Sequence, residues 1–329
     1  MTADIGVIGL GIIGYGMASN LRKKLPSTTT LHIHDINVET CKKLVAEYSS
    51  HGKIELASSA KDLASKCHTV LSSLPAGNHV RQVYLDAEHG VIAASKDPER
   101  LIIECSTIEI ESTMEIGKTI NDAGLGTFVD ATVSGGVWGA NSGSLSFMVG
   151  HAEPTSEKDV MGKRVLEVLS LVGLPEKIQF CGKLGMGQVA KIAHNYVSLC
   201  NNLVAAEGMA LGLRYGIDKH VLWKCMTDGT ANSWVMHLEQ PVPGLVSEAP
   251  SSNGYRRAFS AGLGLKDLGI GVKSAKRVGL DPTAGEAAIR ALQRVEADPR
   301  TRDLDHTSLW LHINGIVDDF VKSGKATRL

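Results

Sequence analysis

Ile5-Gly6-Val7-Ile8-Gly9-Leu10-Gly11-Ile12-Ile13-Gly14 is the stretch on which the reading of the fold turns. An apolar, β-branched run ends in G-x-G-x-x-G, and a helical pattern follows over Gly14–Lys24. A strand that feeds a glycine turn and then a helix opens a dinucleotide-binding βαβ unit. The first glycine permits the tight turn, the second lets the backbone approach a pyrophosphate, and the third lets helix and strand pack closely. The helix N-terminus then presents N–H groups and the positive end of its dipole to the anion. Gly9, Gly11, Ile12, Ile13 and Gly14 are therefore expected to hold a cofactor's phosphates. A glycine-rich turn that binds nothing is the bland alternative, and the strand, the helix and a later acid all count against it.

That acid is Asp35, which ends the strand-like run Leu31-His32-Ile33-His34-Asp35, 21 residues after Gly14. A carboxylate there hydrogen-bonds the adenosine ribose hydroxyls and repels a 2′-phosphate. No Arg or Lys follows until Lys42, so the expected cofactor is NAD and not NADP. Capping of the helix that begins near Val38 is a second role open to Asp35.

Further along, strand candidates Val70–Leu74, Leu101–Cys105 and Thr127–Asp130 alternate with helix candidates Val38–Tyr48, Ala60–Lys66 and Ile110–Asp122. Strands separated by such helices predict an α/β fold, a Rossmann-type doubly wound parallel sheet. After Cys181–Gly187 a helical pattern runs from Gln188 to Tyr215, with Gly216 at the C-cap. At 1.5 Å per residue that long interdomain helix would span roughly 40 Å. The rest reads as all-helical, giving domains 1–180 and 181–329, the second beginning with helix 188–215.

Composition narrows the class. The 329 residues carry 34 Lys+Arg against 35 Asp+Glu, a balance that offers no footprint for nucleic acid or an anionic membrane. No apolar run is long enough to span a bilayer. The first strand starts almost at Met1, so no leader is expected and the location is read as cytoplasmic, or mitochondrial if a leader has been removed. Thr327-Arg328-Leu329 only faintly matches a peroxisomal tripeptide. The six cysteines are scattered and read as reduced, buried thiols. The twelve histidines form no His-Glu-x-x-His, and no metal is expected.

Three more segments carry a resemblance: Asp130-Ala131-Thr132-Val133-Ser134-Gly135-Gly136; Gly182-Lys183-Leu184-Gly185-Met186-Gly187-Gln188-Val189-Ala190-Lys191-Ile192-Ala193-His194-Asn195; and Lys266-Asp267-Leu268. With Gly9–Gly14 they resemble, in order and spacing over nearly the whole chain, the β-hydroxyacid dehydrogenase family. Gln240–Gly244, Pro250–Tyr255 and Ser144–Gly150 are most similar to its 3-hydroxyisobutyrate dehydrogenase branch. The resemblance implies that Lys191 is the general acid/base and Asn195 its companion one helical turn on. It implies that Ser134, Gly135 and Gly136 bind the substrate carboxylate, through a hydroxyl and a nest of N–H groups.

It also implies cofactor contacts from Leu74, Pro75 and Asn78 (the last across a one-residue gap), from Thr107 after Ser106, and from Lys266. Thr132 stands where the family commonly has proline. His194 reads as a supporting neighbour of Lys191, and Trp234 and Phe259 as pocket wall or core. An ordinary lysine titrates near ~10.4. Burial and the positive end of a helix would bring Lys191 toward the ~7–8 that suits a general base. The implied activity is NAD-dependent oxidation of 3-hydroxyisobutyrate to methylmalonate semialdehyde in valine breakdown, by a homodimer or homotetramer. A sibling acting on tartronate semialdehyde or serine is the near alternative, and a non-catalytic NAD-binding module the distant one. Retention of Lys191 counts against the last and against an imine reductase.

Overall fold

The structure, a computed structural model, describes residues 4–156 and 158–323; Thr327-Arg328-Leu329 lie outside the described residues. The chain folds as two compact units, Met1–Lys191 and Ile192–Leu329.

In unit 1, β1 (Ile5–Ile8), α1 (Ile12–Lys24), β2 (Leu31–His34), α2 (Val38–Tyr48), β3 (Ile54–Leu56), α3 (Ala60–Lys66) and β4 (Thr69–Ser72) come first. They are followed by α4 (Gly77–Leu85), β5 (Leu101–Glu104), α5 (Ile110–Asp122), β6 (Thr127–Ser134), α6 (Gly136–Ser142), β7 (Leu145–Val149), α7 (Val160–Ser170) and β8 (Gly173–Phe180). The eight strands form one sheet in the order β3-β2-β1-β4-β5-β6-β7-β8. Every pairing is parallel except β6 with β7. The expected parallel sheet is thus present with an antiparallel step near one edge.

Alternation along the strands explains the double winding. Leu101 and Ile103 of β5 point into a cluster with Leu21, Leu44 and Val168, from α1, α2 and α7. Ile102, between them, joins Leu63, Val80 and Ile120, from α3, α4 and α5. Burial on both faces demands continuous apolar strands, and each such side chain contributes roughly 1.5–3 kcal/mol of transfer free energy. Three strands gave no sequence signal. β3 is three residues long, β7 follows a turn read only as a motif, and β8 carries Pro175, tolerated because β8 is an edge strand.

α8 (Met186–Arg214) runs through the division between the units. Unit 2 adds α9 (Lys219–Thr227), α10 (Val235–Leu238), α11 (Ala261–Arg277), α12 (Thr283–Ala297), α13 (Leu309–Asn314) and α14 (Val317–Ser323). Leu199 and Leu203 of α8 pack there with Leu268, Leu292 and Trp310. No helix among the described residues is long and apolar enough to cross a membrane. The cysteines depart from expectation: Cys41, Cys67 and Cys105 are buried, but Cys181 and Cys200 are half-buried and Cys225 is exposed. Burial pushes the Cys67 thiol up to about 12.

Unit 2 also buries a charged pair. His306 Nδ1 lies 3.3 Å from Asp305 Oδ1 and its Nε2 3.6 Å from Glu239 Oε2. Burial disfavours the imidazolium, yet the two carboxylates outweigh it and hold His306 well above its usual range. Asp305 is held low because His306 and the hydrogen bonds it accepts overcome its own burial. The histidine's share of stability is complete below its unfolded value of about 6.5 and is lost as pH rises through the folded value. The aspartate's share is present above about 3.9 and is lost as pH falls. The melting temperature of the full chain is therefore expected to fall as pH rises above about 6.5, and His306→Gln should flatten that slope. Parallel pH profiles for the two proteins would contradict the assignment.

Candidate active site

Strand register decides where the loops gather. Ile8 pairs with His34 and Ser72, Ser72 with Glu104, and Glu104 with Asp130. The C-terminal ends of β2, β1, β4 and β5 are therefore level, and segments 9–14, 35–37, 73–78 and 105–108 open at one sheet edge, the edge that binds ligands in open α/β sheets. β6 continues beyond Asp130, and Ser134 faces Ser146 of β7. Four residues at about 3.3 Å each carry the Ser-Gly-Gly turn roughly 13 Å further along.

The three glycines of the first turn have different physical reasons. Gly9 has φ 87°, and a Cβ there would lie 2.3 Å from Ser73 O. A Cβ on Gly14 would lie 2.0 Å from Gly9 O, so that position is a close approach of helix to strand. A Cβ on Gly11 would meet nothing within 4 Å: the middle glycine leaves clearance. α1 begins directly after it with no side-chain cap and no acid in its first turn. Ile12 is exposed and Ile13 half-buried. An open cradle at an uncapped helix start fits a pyrophosphate.

Asp35 Oδ2 accepts from Leu10 N at 2.6 Å, and its Oδ1 accepts from Asn37 N at 2.7 Å. The cap of α2 is Asn37, whose side chain accepts from Glu39 N and Thr40 N. Asp35 is thus not the cap; it braces the glycine turn, a contact that the sequence did not announce.

The loops are tied to one another. Leu74 N donates to Ser106 Oγ at 2.7 Å, and Thr107 follows half-buried. Pro75 and Asn78 are exposed, and Asn78 is the second residue of α4 and not part of a loop. Gln188, in the first turn of α8 and fully buried, donates through Nε2 to Ser106 O at 2.7 Å and accepts from Ile108 N at 3.2 Å. Gly135 and Gly136 have φ 119° and 60°, left-handed values that favour glycine. α6, which follows, is fastened to α1 by Asn20, whose amide donates to Ala140 O at 2.8 Å. Gly16 permits that approach, since a Cβ there would lie 2.8 Å from Ala140.

Lys191 is 7% exposed. α8 starts two residues earlier than expected, at Met186, so Lys191 sits in the second turn and not the first. In unit 2, Asn195 Nδ2 donates to Asp267 Oδ2 at 2.7 Å, and His194 Nδ1 lies 3.0 Å from Asn195 Oδ1. Lys266 Nζ lies 2.9 Å from Asp267 Oδ1. Asp267 therefore gathers Asn195 and Lys266. Phe259 packs with the unit 2 core, edge-on to His306, whereas Trp234 is exposed. Among the described residues no group of three or more His, Cys, Asp or Glu could hold a metal ion.

This geometry defines the class as the nicotinamide-dinucleotide oxidoreductases, and comparison with known proteins narrows it. Residues 4–173 match the NAD binding domain of 6-phosphogluconate dehydrogenase. Residues 185–313 match the NAD-binding family of NADP-dependent 3-hydroxyisobutyrate dehydrogenase. The chain is 34% identical to 3-hydroxyisobutyrate dehydrogenase of Pseudomonas aeruginosa over 93% of its length and 97% of the relative. It is also 34% identical to the NAD-dependent L-serine dehydrogenase of that organism, over 87% of this chain and 90% of the relative. The solved Mycobacterium tuberculosis 3-hydroxyisobutyrate dehydrogenase with L-serine superposes with TM-score 0.81 at 30% identity, covering 95% of this chain and 99% of that one. The chain belongs to the β-hydroxyacid dehydrogenase family, is similar to its 3-hydroxyisobutyrate and L-serine dehydrogenases alike, and its cofactor is a nicotinamide dinucleotide.

Proposed function

We propose that the protein oxidises 3-hydroxyisobutyrate to methylmalonate semialdehyde with NAD, and that Lys191 is its general acid/base. The observation that carries this reading is the near-complete burial of Lys191 close to the start of α8, in the unit that holds the glycine turn. Ser134 Oγ and the amides of Gly135 and Gly136 hold the substrate carboxylate, which fixes the face presented for reaction. The uncharged amine of Lys191 takes the hydroxyl proton as the carbonyl forms, and returns it in reduction. When bound, the oxidised nicotinamide supplies the acceptor for the hydride that leaves the same carbon. Asn195 accompanies Lys191 one turn along α8. Leu74, Pro75, Asn78, Thr107 and Lys266 are cofactor contacts on the strength of the resemblance.

Asp35 supports NAD over NADP, and the first following lysine, Lys42, is paired with Glu39 at 2.7 Å. A homodimer or homotetramer is supported by Val197, Val204 and Leu211, a seven-residue-spaced stripe left exposed on α8. A cytoplasmic location, or a mitochondrial one after removal of a leader, follows the bacterial and mitochondrial relatives.

L-Serine is the second candidate, since the serine dehydrogenase relative is equally identical. Comparison of kcat/KM for 3-hydroxyisobutyrate and L-serine with NAD tests the choice. The first is expected to be at least about tenfold higher, the worth of roughly one methyl group's burial against an unmatched polar substituent. A higher value for L-serine overturns the substrate assignment. Ser134→Ala should raise KM for the hydroxy acid about tenfold to a hundredfold, one hydrogen bond to a charged group, and leave KM for NAD unchanged. An unchanged substrate KM removes Ser134 from the carboxylate site.

A further inference from the structure

Asp130 is fully buried at the middle of β6, where the sheet passes the ligand edge. Its Oδ1 accepts from Gly185 N at 2.8 Å and its Oδ2 from Gln188 N at 2.9 Å. These are N–H groups at the start of α8, which otherwise have no partner inside the helix. The socket is closed by glycines: an ideal Cβ on Gly150 would lie 1.9 Å from Asp130 Oδ1, and one on Gly187 2.7 Å from Oδ2. A carboxylate with two acceptor oxygens serves two donors at once, which no neutral side chain of that size does. Thr132, two residues on and also fully buried, donates through Oγ1 to Gly187 O at 3.0 Å. That carbonyl is the one an α-helix pairs with the N–H of residue 191. Thr132 therefore adds a bond on the peptide that supports Lys191.

We propose that Asp130 and Thr132 are positioning residues: they fix the start of α8 to β6 and so hold the Lys191 amine at the distance and angle that proton transfer needs. The inference rests on the proposed role of Lys191 but assigns new work to two residues that touch neither substrate nor cofactor. A displacement of about 1 Å in such a group lowers turnover by up to about a hundredfold.

The test compares three variants of the full chain with NAD and 3-hydroxyisobutyrate. Asp130→Asn keeps shape but sets an amide N–H against one of the two donors. It should lower kcat about tenfold to a hundredfold, with NAD affinity and KM for NAD within about twofold. Thr132→Val, which keeps the shape and removes one bond, should lower kcat a few-fold with the same split, and it keeps the inference testable if Asp130→Asn does not fold. Val165→Ala, a core truncation in α7, should lower the melting temperature while leaving kcat within about twofold. The inference is overturned if Asp130→Asn folds and keeps its kcat, or if Thr132→Val leaves kcat untouched. Absence of any turnover by the unmodified enzyme, with NAD still bound, overturns the proposed function and this inference together.

Discussion

Lys191→Ala is expected to lower kcat about 10²–10⁴-fold, the usual worth of a positioned general acid/base, while the Kd for NAD stays within about twofold. Oxidation of a hydroxy acid strands a proton on the developing carbonyl oxygen unless a base takes it. Lys191 offers a nearly buried amine to take it, and the proposed role requires that amine to be uncharged at the moment of transfer. The glycine turn and Asp35 lie on other loops and do not depend on it. Quenching of protein fluorescence by NAD, set beside the steady-state rate, separates the two effects. A variant that loses NAD binding in proportion to rate would make Lys191 a cofactor contact and not a base.

Asp35→Ala should raise KM for NAD about tenfold to a hundredfold and narrow the preference for NAD over NADP by a similar factor. Two effects combine. The ribose hydroxyls lose a charged acceptor, a loss of about 1.5–3 kcal/mol, and the 2′-phosphate no longer meets a like charge. The structure adds a third: Leu10 N loses its acceptor at 2.6 Å, so the turn that cradles the pyrophosphate loosens. Asp35→Asn separates these effects, because its amide oxygen still accepts from Leu10 while its charge is gone. An unchanged ratio of kcat/KM for the two cofactors would contradict the role given to Asp35.

Much of unit 1 is legible because its signals are local. The G-x-G-x-x-G turn marks β1 and α1, and the periodicity of 38–48, 60–66 and 110–122 gives the bounds of α2, α3 and α5. The residues that hold the site together are less visible. Asp130, Gln188 and Asn20 are single polar residues within apolar or helical runs, and their partners lie 55 to 121 positions away. Only tertiary structure reveals such pairs. The one signal available was the placement of Asp130 between Val129 and Ala131 in a doubly covered strand, where an acid needs hydrogen-bond partners to be tolerated. β8 was hidden by Pro175 and the charged Glu176-Lys177, which suit an edge and read as a loop. α8 starts at Met186, two residues before the expected Gln188, because the glycine turn closes sooner than the apolar periodicity shows.

Titration of the Lys191 amine in the NAD-bound enzyme tests the account most directly. Competitive amine labelling followed across pH by peptide mass spectrometry reads this side chain alone. The account predicts a midpoint clearly below the ~10.4 of an ordinary lysine, matched by the acid limb of kcat/KM for hydroxy acid oxidation. A midpoint at the ordinary value, in enzyme that turns over, would contradict it.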